Sequence, residues 1–442
     1  MNKLKRKDFI HVSIMLFGLF FGAGNLIFPP LLGNQSGENL WIAFLGFAIT
    51  AIVFPVVGAI VVGKTEGLTN LANRVGPIFA LVFTTAIYIS IGPGMGIPRA
   101  GSVPFEMAIA PYLPESFSIN LARLVYTFIF FTVAMWICLN PNKLVVRVGK
   151  YLTPSLLLLI TLMFVRVVLL PSNVGQPVGD YANAPLVKGF LSGYETMDAI
   201  AALNFGFVIA ASIKRLGIKD KKDVSKYTVK SGLIAGTLLT IVYGMLSLIG
   251  MRTSGLLVGA KNGVVILTAN VREAFGEFGL VLLAGIFTLA CLTTCVGLIT
   301  SGGEYFHTLF KEKLSYRSWV YIWTIFSFLM ANFGLNKLLE FSIPLLSIIY
   351  PVALVLIVMG ISHDLLKYGK LSYLLSAIVA VVLPVINVLA TNFKISIPFL
   401  TNLEKGLPLA NKGLSWLLPT LVVLVAAYIV EKLIKSEKLT VR

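Results

Sequence analysis

Charged residues are scarce in this chain of 442 residues, since aspartate, glutamate, lysine and arginine together make up only 12%. Soluble domains carry about 25%. Hydrophobic residues account for 57% of the chain, and the mean hydropathy is +0.89. The composition therefore predicts an integral membrane protein and excludes an ordinary soluble domain.

Acidic residues are the scarcer of the two signs, with 19 against 36 basic residues and a net charge of +17. On a soluble chain this excess would favour nucleic-acid binding. Here the basic residues are concentrated in short loops between apolar segments, so we expect the lipid bilayer as the partner and no nucleic acid.

Cysteine and histidine are also rare, with three residues of each. Cys138, Cys291 and Cys295 all lie inside apolar segments, which predicts packing residues and indicates neither disulfides nor a thiolate metal centre. The histidines are far apart in the sequence, so the ligand cluster that an intramembrane enzyme would need is missing. We therefore expect no enzymatic activity.

Long apolar runs are what the chain has instead. The first follows a basic N-terminus but is too long for a signal peptide and lacks a small-residue cleavage site, so we expect a retained span. Hydropathy and the charged, proline and glycine breaks predict twelve transmembrane helices, near residues 9–32, 39–63, 76–110, 119–139, 145–170, 186–213, 228–251, 278–306, 316–332, 335–361, 371–391 and 413–432. The third is long and contains Gly92-Pro-Gly-Met-Gly-Ile-Pro98, which predicts a kink, a tilt or a terminal surface helix.

The distribution of lysine and arginine gives the orientation. The N-terminus, the even-numbered loops and the C-terminal tail hold 25 of the 36 basic residues. The positive-inside rule therefore predicts that both termini are cytoplasmic, which requires an even number of spans.

Two of the predicted spans are interrupted. The first contains Gly18-Leu-Phe-Phe-Gly-Ala-Gly-Asn25 near its midpoint, and the sixth contains Gly189-Phe-Leu-Ser-Gly-Tyr-Glu-Thr-Met-Asp198. Backbone groups freed inside hydrocarbon need a partner, so paired breaks predict a binding site. The two spans run in opposite directions and are separated by five spans, which predicts an inverted repeat with residues 9–170 as the first half and 186–361 as the second.

Polar side chains in spans six and eight permit more than one interpretation. Glu195 and Asp198 lie on roughly one helix face and could carry a proton or gate a cavity, or simply bond to neighbouring helix ends, with Arg99 and Glu106 as candidate partners. Thr293 and Thr294 could supply oxygen ligands to a small alkali cation, or bond back to their own helix.

These segments together resemble the bacterial branched-chain amino acid carriers of the LIVCS family of cation symporters. The resemblance extends over essentially the whole chain and is clearest in the run from Phe17 to Leu32, in Gly92–Ala100 and in Gly193-Tyr-Glu-Thr-Met-Asp198. More distantly, the chain is similar to the leucine-transporter fold of the APC superfamily. That resemblance implies ten core helices in a 5+5 inverted repeat, with residues 371–432 as two accessory helices.

The resemblance also implies a set of site residues. The amides of Ala23 and Gly24, with Asn25, are expected at the substrate carboxylate, and unwound backbone at Phe190, Leu191, Ser192, Gly193 and Tyr194 at its ammonium group. A sodium site is implied at the carbonyls of Gly18, Phe21 and Ala290 and the hydroxyls of Thr293 and Thr294.

The implied function is import of leucine, isoleucine and valine through the bacterial plasma membrane, coupled to Na⁺ by alternating access. Two alternatives stay open on the residues alone. A titrating Glu195 would favour a proton-coupled permease for another small apolar amino acid or solute, and mid-span breaks also occur in ion channels. The oligomeric state is not predicted.

Overall fold

The computed structural model describes residues 4–114, 116–395 and 397–440, and every regular element in these ranges is helical. The helices are, in chain order, α1 (Arg6–Phe20), α2 (Ala23–Ser36), α3 (Leu40–Ala48), α4 (Phe54–Lys64), α5 (Leu68–Ala72), α6 (Pro77–Ile89), α7 (Gly96–Ala108), α8 (Ile119–Cys138), α9 (Thr153–Val168), α10 (Asp180–Asn183), α11 (Pro185–Tyr194), α12 (Asp198–Arg215), α13 (Lys221–Arg252), α14 (Gly263–Phe275), α15 (Phe278–Leu309), α16 (Tyr316–Ala331), α17 (Leu335–Leu366), α18 (Lys370–Thr391), α19 (Pro398–Lys405) and α20 (Leu417–Thr440).

Within the described ranges, nine helical stretches are long and apolar enough to cross a bilayer, or ten if α11 and α12 count as one span. The axes of α11 and α12 are bent by 48° at a short break. Two other helices are short for a span, because α1 has 15 residues and α16 has 16. The expected all-α, multi-pass membrane class is confirmed.

The third predicted segment, residues 76–110, is kinked. Helix α6 continues into a wider π-helical turn at Ser90–Gly94, where Gly92 leaves helical geometry with φ −82° and ψ −122°. A Cβ on Gly92 would lie 2.3 Å from the Trp323 ring, so the glycine lets the indole of α16 pack into the kink.

The chain divides into two compact units, of which the first comprises Met1–Gly63 and Ile91–Leu338. Helices α2 and α13 pack so closely in this unit that glycine is needed on both sides. A Cβ on Gly33 would lie 1.8 Å from the Ser247 carbonyl oxygen, and one on Gly250 would lie 1.9 Å from that of Pro30. Small residues permit this backbone approach in membrane proteins.

Helices α3 and α11 of the same unit pack in the same reciprocal way. A Cβ on Gly46 would lie 2.0 Å from the Leu186 carbonyl oxygen, and one on Gly189 would lie 1.9 Å from that of Ala43. Gly189, which belongs to the stretch of the second predicted break, therefore serves to bring two helices together.

The second unit comprises Lys64–Ser90 and Leu339–Arg442. Within it, the carboxylate of Glu431 on α20 caps the start of α18. It accepts hydrogen bonds from the amides of Gly369 and Leu371, both at 2.8 Å, and from the Ser372 hydroxyl at 2.5 Å. An anion at a helix N-terminus satisfies free amides and complements the helix dipole.

Candidate functional site

The first break separates α1 from α2 at two residues. Phe21 has φ −79° and ψ 89°, and Gly22 is extended with φ −113° and ψ −159°. Helix α2 then begins at Ala23, so the first amides of α2 have no helical acceptor. The break expected within Gly18–Asn25 is thus confirmed in position.

The second break separates α11 from α12 at residues 195–197. Met197 adopts the left-handed conformation, with φ 66° and ψ 9°. This conformation is uncommon for residues other than glycine and is found where the surrounding structure imposes it, often at functional sites. Asp198 follows as the first residue of α12.

A hydrogen-bond network joins the two breaks. The side-chain amide nitrogen Nδ2 of Asn25 donates to Asp198 Oδ2 at 2.5 Å, and the Tyr243 hydroxyl of α13 donates to the same oxygen at 2.8 Å. Asn25 Nδ2 also contacts the Tyr243 hydroxyl oxygen, and Asn25 Oδ1 accepts from the backbone amide of Gly22 at 2.9 Å. Asn25 and Asp198 are 2% and 4% exposed, so the buried carboxylate depends on these donors.

A cavity of about 80 Å³ lies between the two breaks. The first turn of α2, residues 196–198 of the second break, α7 and α15 all contribute to its wall. Its two charged side chains among the described residues are Arg99 and Asp198. Asn25, Thr196 and Thr294 are its uncharged polar side chains, and the rest of the wall is apolar or glycine, including Phe20 and Leu298. A site with opposite charges and an apolar wall suits a zwitterion with a hydrophobic side chain.

The structure brings part of the expected substrate site to this cavity. Ala23, Gly24 and Asn25 line it, with Ala23 and Gly24 in the first turn of α2. A Cβ on Gly24 would lie 3.4 Å from the Thr196 carbonyl oxygen, so this carbonyl of the second break faces α2 directly.

The second break lies within the expected stretch Gly189–Asp198, but the unwound backbone is not at residues 190–194. Phe190, Leu191, Ser192, Gly193 and Tyr194 are helical residues of α11, and none of the five lines the cavity. The Phe190 carbonyl accepts from the Thr50 hydroxyl at 2.8 Å. The break begins after Tyr194, because Gly189 and Gly193 are used for the close approach to α3.

The expected cation ligands lie around the first break and α15. Thr293 donates from its hydroxyl to the Ala290 carbonyl oxygen at 2.9 Å, whereas the buried Thr294 hydroxyl has no hydrogen-bond partner among the described residues. A Cβ on Gly22 would lie 2.9 Å from Thr294 Oγ1, so this hydroxyl faces the break. Gly18 is in the last turn of α1 and Phe21 directly follows it, where helix carbonyls lose their amide partners.

A further hydroxyl lies beside the last turn of α1. The buried Thr153 Oγ1 of α9 also has no partner in the described part of the chain, and a Cβ on Gly18 would lie 2.1 Å from it. Unpaired buried hydroxyls next to free carbonyls are hard oxygen donors, which suits an alkali cation. The donor set therefore fits the Na⁺ that the resemblance implies.

The two acidic residues of the second break differ in their surroundings. Asp198 is buried in the network, whereas Glu195 is exposed and does not line the cavity. Glu106, an expected partner, forms an ion pair with Arg123 at 2.9 Å. Sequence reasoning missed Thr196 and Met197 as cavity residues and gave Arg99 only a secondary role. An arginine inside an apolar span is the signal that could have singled it out.

Comparison with known proteins agrees with this architecture. The sequence matches the family model described as branched-chain amino acid transport protein over residues 5–434. The branched-chain amino acid transport system 2 carrier protein of Pseudomonas aeruginosa is 39% identical over 437 residues, 98% of each chain. The branched-chain amino acid permease BraB of Bacillus subtilis is 38% identical, over 99% of this chain and 98% of that protein.

Among solved structures, the chain is similar to MHP1, a nucleobase-cation-symport-1 family transporter in a closed conformation with bromovinylhydantoin bound. The TM-score is 0.58 over 92% of this chain and 96% of MHP1, at 13% identity, so the likeness concerns the fold alone. It confirms the expected similarity to leucine-transporter-like folds.

Proposed function

The chain belongs to the branched-chain amino acid transport protein family, and we propose that it imports leucine, isoleucine and valine across the bacterial plasma membrane. The observation that carries this proposal is the 39% identity to the Pseudomonas carrier across 98% of both chains. The cavity supports it independently, because it presents two opposite charges beside an apolar wall. Membership of a transport family also agrees with the expectation that the chain is not an enzyme.

The proposed topology has twelve spans with both termini in the cytoplasm. The first is α1 with α2, and the sixth is α11 with α12. Spans one to five and six to ten form the 5+5 inverted repeat, and α18 and α20 are the accessory helices. The breaks in the first and sixth spans, joined through Asn25 and Asp198, support this arrangement.

The substrate is proposed to lie between the two breaks. Its carboxylate meets the amides of Ala23 and Gly24, where the helix dipole of α2 favours a negative charge. Its ammonium group meets the Thr196 carbonyl and the Asp198 carboxylate at the second break. The apolar side chain packs against Phe20 and Met95, which line the same cavity.

Transport is proposed to be coupled to Na⁺ held by the carbonyls of Gly18, Phe21 and Ala290 and the hydroxyls of Thr293 and Thr294. The unpaired Thr294 hydroxyl beside the first break supports this choice. Substrate and cation would share the backbone of residues 18–25, so binding of one organises the site for the other. Opening alternates between the two membrane faces as the helices around the breaks rearrange.

The proposal is tested with the purified chain in proteoliposomes. Uptake of labelled leucine is measured under an inward sodium gradient, an inward proton gradient, both gradients or neither. We expect saturable uptake driven by sodium and competed by isoleucine and valine. Uptake driven by protons alone would support the proton-coupled alternative, with Asp198 or Glu195 as the group to vary.

A conductance without saturable leucine uptake would instead support a channel. Uptake that ignores sodium, and that is unchanged in the Thr293→Ala/Thr294→Ala variant, would overturn the cation site without affecting the substrate assignment.

A further inference from the structure

Arg99 lies near the start of α7 and lines the cavity. Helix α7 begins at Gly96, and a Cβ on this residue would lie 1.9 Å from the Ile91 carbonyl oxygen across the kink. The Arg99 amide donates to the Met95 carbonyl at 2.8 Å in the first turn. The side chain is half-buried and lines the cavity together with Asp198 and Gly24.

The guanidinium of Arg99 lacks an oxygen acceptor in the part of the chain that the structure describes. Its hydrogen-bonding contact is from Nη1 to Met197 Sδ at 3.8 Å, and a thioether is a weak acceptor. Asp198 faces the same cavity but forms no ion pair with Arg99 within 4.0 Å, and its Oδ2 already accepts from Asn25 and Tyr243. An arginine at membrane depth with five donors and no oxygen partner is costly unless a ligand completes it.

Two groups that favour an anion therefore converge on one cavity. The amides at the start of α2 directly follow the first break, and Arg99 near the start of α7 lines the same cavity. A guanidinium matches a carboxylate with two parallel, charge-assisted hydrogen bonds and adds a full positive charge to the helix amides.

We propose that Arg99 binds the substrate carboxylate and makes the carrier specific for amino acids with a free carboxylate. The proposal deepens the proposed function and rests on it. Asp198, directly after the second break, then faces the ammonium group. The two charges of the cavity thus match the two charges of the substrate.

The test measures equilibrium binding to the purified full-length chain by isothermal titration calorimetry. Leucine is compared with leucinamide and isoamylamine, which keep the side chain and the ammonium group but lack the carboxylate. Wild-type protein should bind leucine at least about 10-fold more tightly than leucinamide, because a hydrogen bond between charged groups strengthens binding by about this factor.

The informative variant is Arg99→Gln. It should weaken leucine binding about 10- to 100-fold and leave leucinamide binding nearly unchanged, so the ratio of the two affinities falls towards one. Arg99→Lys should keep part of the preference for leucine over leucinamide, because lysine has the positive charge but lacks the planar pair of parallel N–H donors. Arg166→Gln is the matched control, since Arg166 Nε donates to the Ala274 carbonyl at 3.2 Å and does not line the cavity.

An equal loss of leucine and leucinamide binding in Arg99→Gln would overturn the proposal and give Arg99 a structural role. An unchanged ratio in that variant would overturn it as well. If the variant does not fold, equal binding of leucine and leucinamide by the wild type is sufficient to reject it. Failure of the wild type to bind leucine, isoleucine or valine would count against the proposed function itself.

Discussion

Asn25 and Asp198 are 173 residues apart in the sequence, yet the side-chain amide of Asn25 donates to Asp198 Oδ2 at a distance of 2.5 Å. Each residue lies in the first turn of the helix that follows a break, in α2 and α12 respectively. Tyr243 of α13 donates to the same carboxylate oxygen. The geometry of either break therefore depends on the other, so a ligand that moves one helix start shifts both.

Replacing Asp198 tests this dependence. Asp198→Ala removes the acceptor of two buried donors, at a cost of about 1.5–3 kcal/mol for each bond to a charged group. We expect leucine uptake in proteoliposomes to fall at least about 10-fold. Glu195→Ala removes a carboxylate three positions earlier that is exposed and outside the cavity, and it should transport at nearly the wild-type rate. Equal losses in the two variants would show that the network has no special role.

Thr294 is expected to affect the cation and not the substrate. Thr294→Ala removes a buried hydroxyl without a partner among the described residues, so little folding energy should be lost. We expect the sodium concentration for half-maximal uptake to rise about 10-fold, since one oxygen ligand is gone. Thr161→Ala is the control, because its hydroxyl bonds to the Leu157 carbonyl of its own helix at an exposed position. An unchanged sodium dependence would contradict the ligand assignment.

The effect of Gly18→Ala on uptake is expected to depend on the side chain at position 153. A Cβ on Gly18 would lie 2.1 Å from Thr153 Oγ1, so Gly18→Ala should displace α1 and impair uptake. Thr153→Ala removes the oxygen, after which the nearest atom of residue 153 is its Cβ at 3.1 Å. The double variant should therefore regain part of the lost uptake. If Thr153→Ala alone keeps its uptake and the double variant is as inactive as Gly18→Ala, the clash is not the cause.

The contact between α2 and α13 should depend strictly on glycine. Gly33→Ala places a Cβ 1.8 Å from a backbone carbonyl, which cannot rotate away, and should lower the free energy of unfolding by about 3 kcal/mol. Gly244→Ala on α13 has no atom within 4 Å of the added Cβ and should gain up to about 1 kcal/mol from helix propensity. Thermal unfolding of the purified protein measures both. The prediction fails if the two melting temperatures change in the same direction.

The sequence was sufficient for the membrane class and for the existence of both breaks. Apolar length, basic loops and the cluster Gly22-Ala-Gly-Asn25 are local signals, and bilayer physics gives them a limited set of structural outcomes. The residues at which the sixth span unwinds within Gly189–Asp198 were not recoverable in this way. Gly189 and Gly193 resemble flexible residues in a sequence, but they permit backbone contact with α3, which only the packed structure reveals.

The candidate site was predicted in the same uneven manner. Ala23, Gly24 and Thr294 were found because a motif and an adjacent hydroxyl pair indicate them directly. Arg99 and Thr196 were not placed at the substrate, because their positions depend on the kink at Gly92 and on the left-handed Met197. The Gly92–Pro98 run permits a kink but does not predict where the following side chains point, and the left-handed Met197 has no local sequence signature.

The opposite charges of Arg99 and Asp198 bear on how membrane voltage acts on the carrier. With both groups ionised, the cavity has no net charge, and a zwitterionic amino acid adds none. A carrier that binds one sodium ion would then move one elementary charge through the field when loaded, about 2.3 kcal/mol per 100 mV. The empty carrier would move no net charge when it returns to the outward-facing state. Membrane voltage would therefore accelerate only the inward step of the loaded carrier.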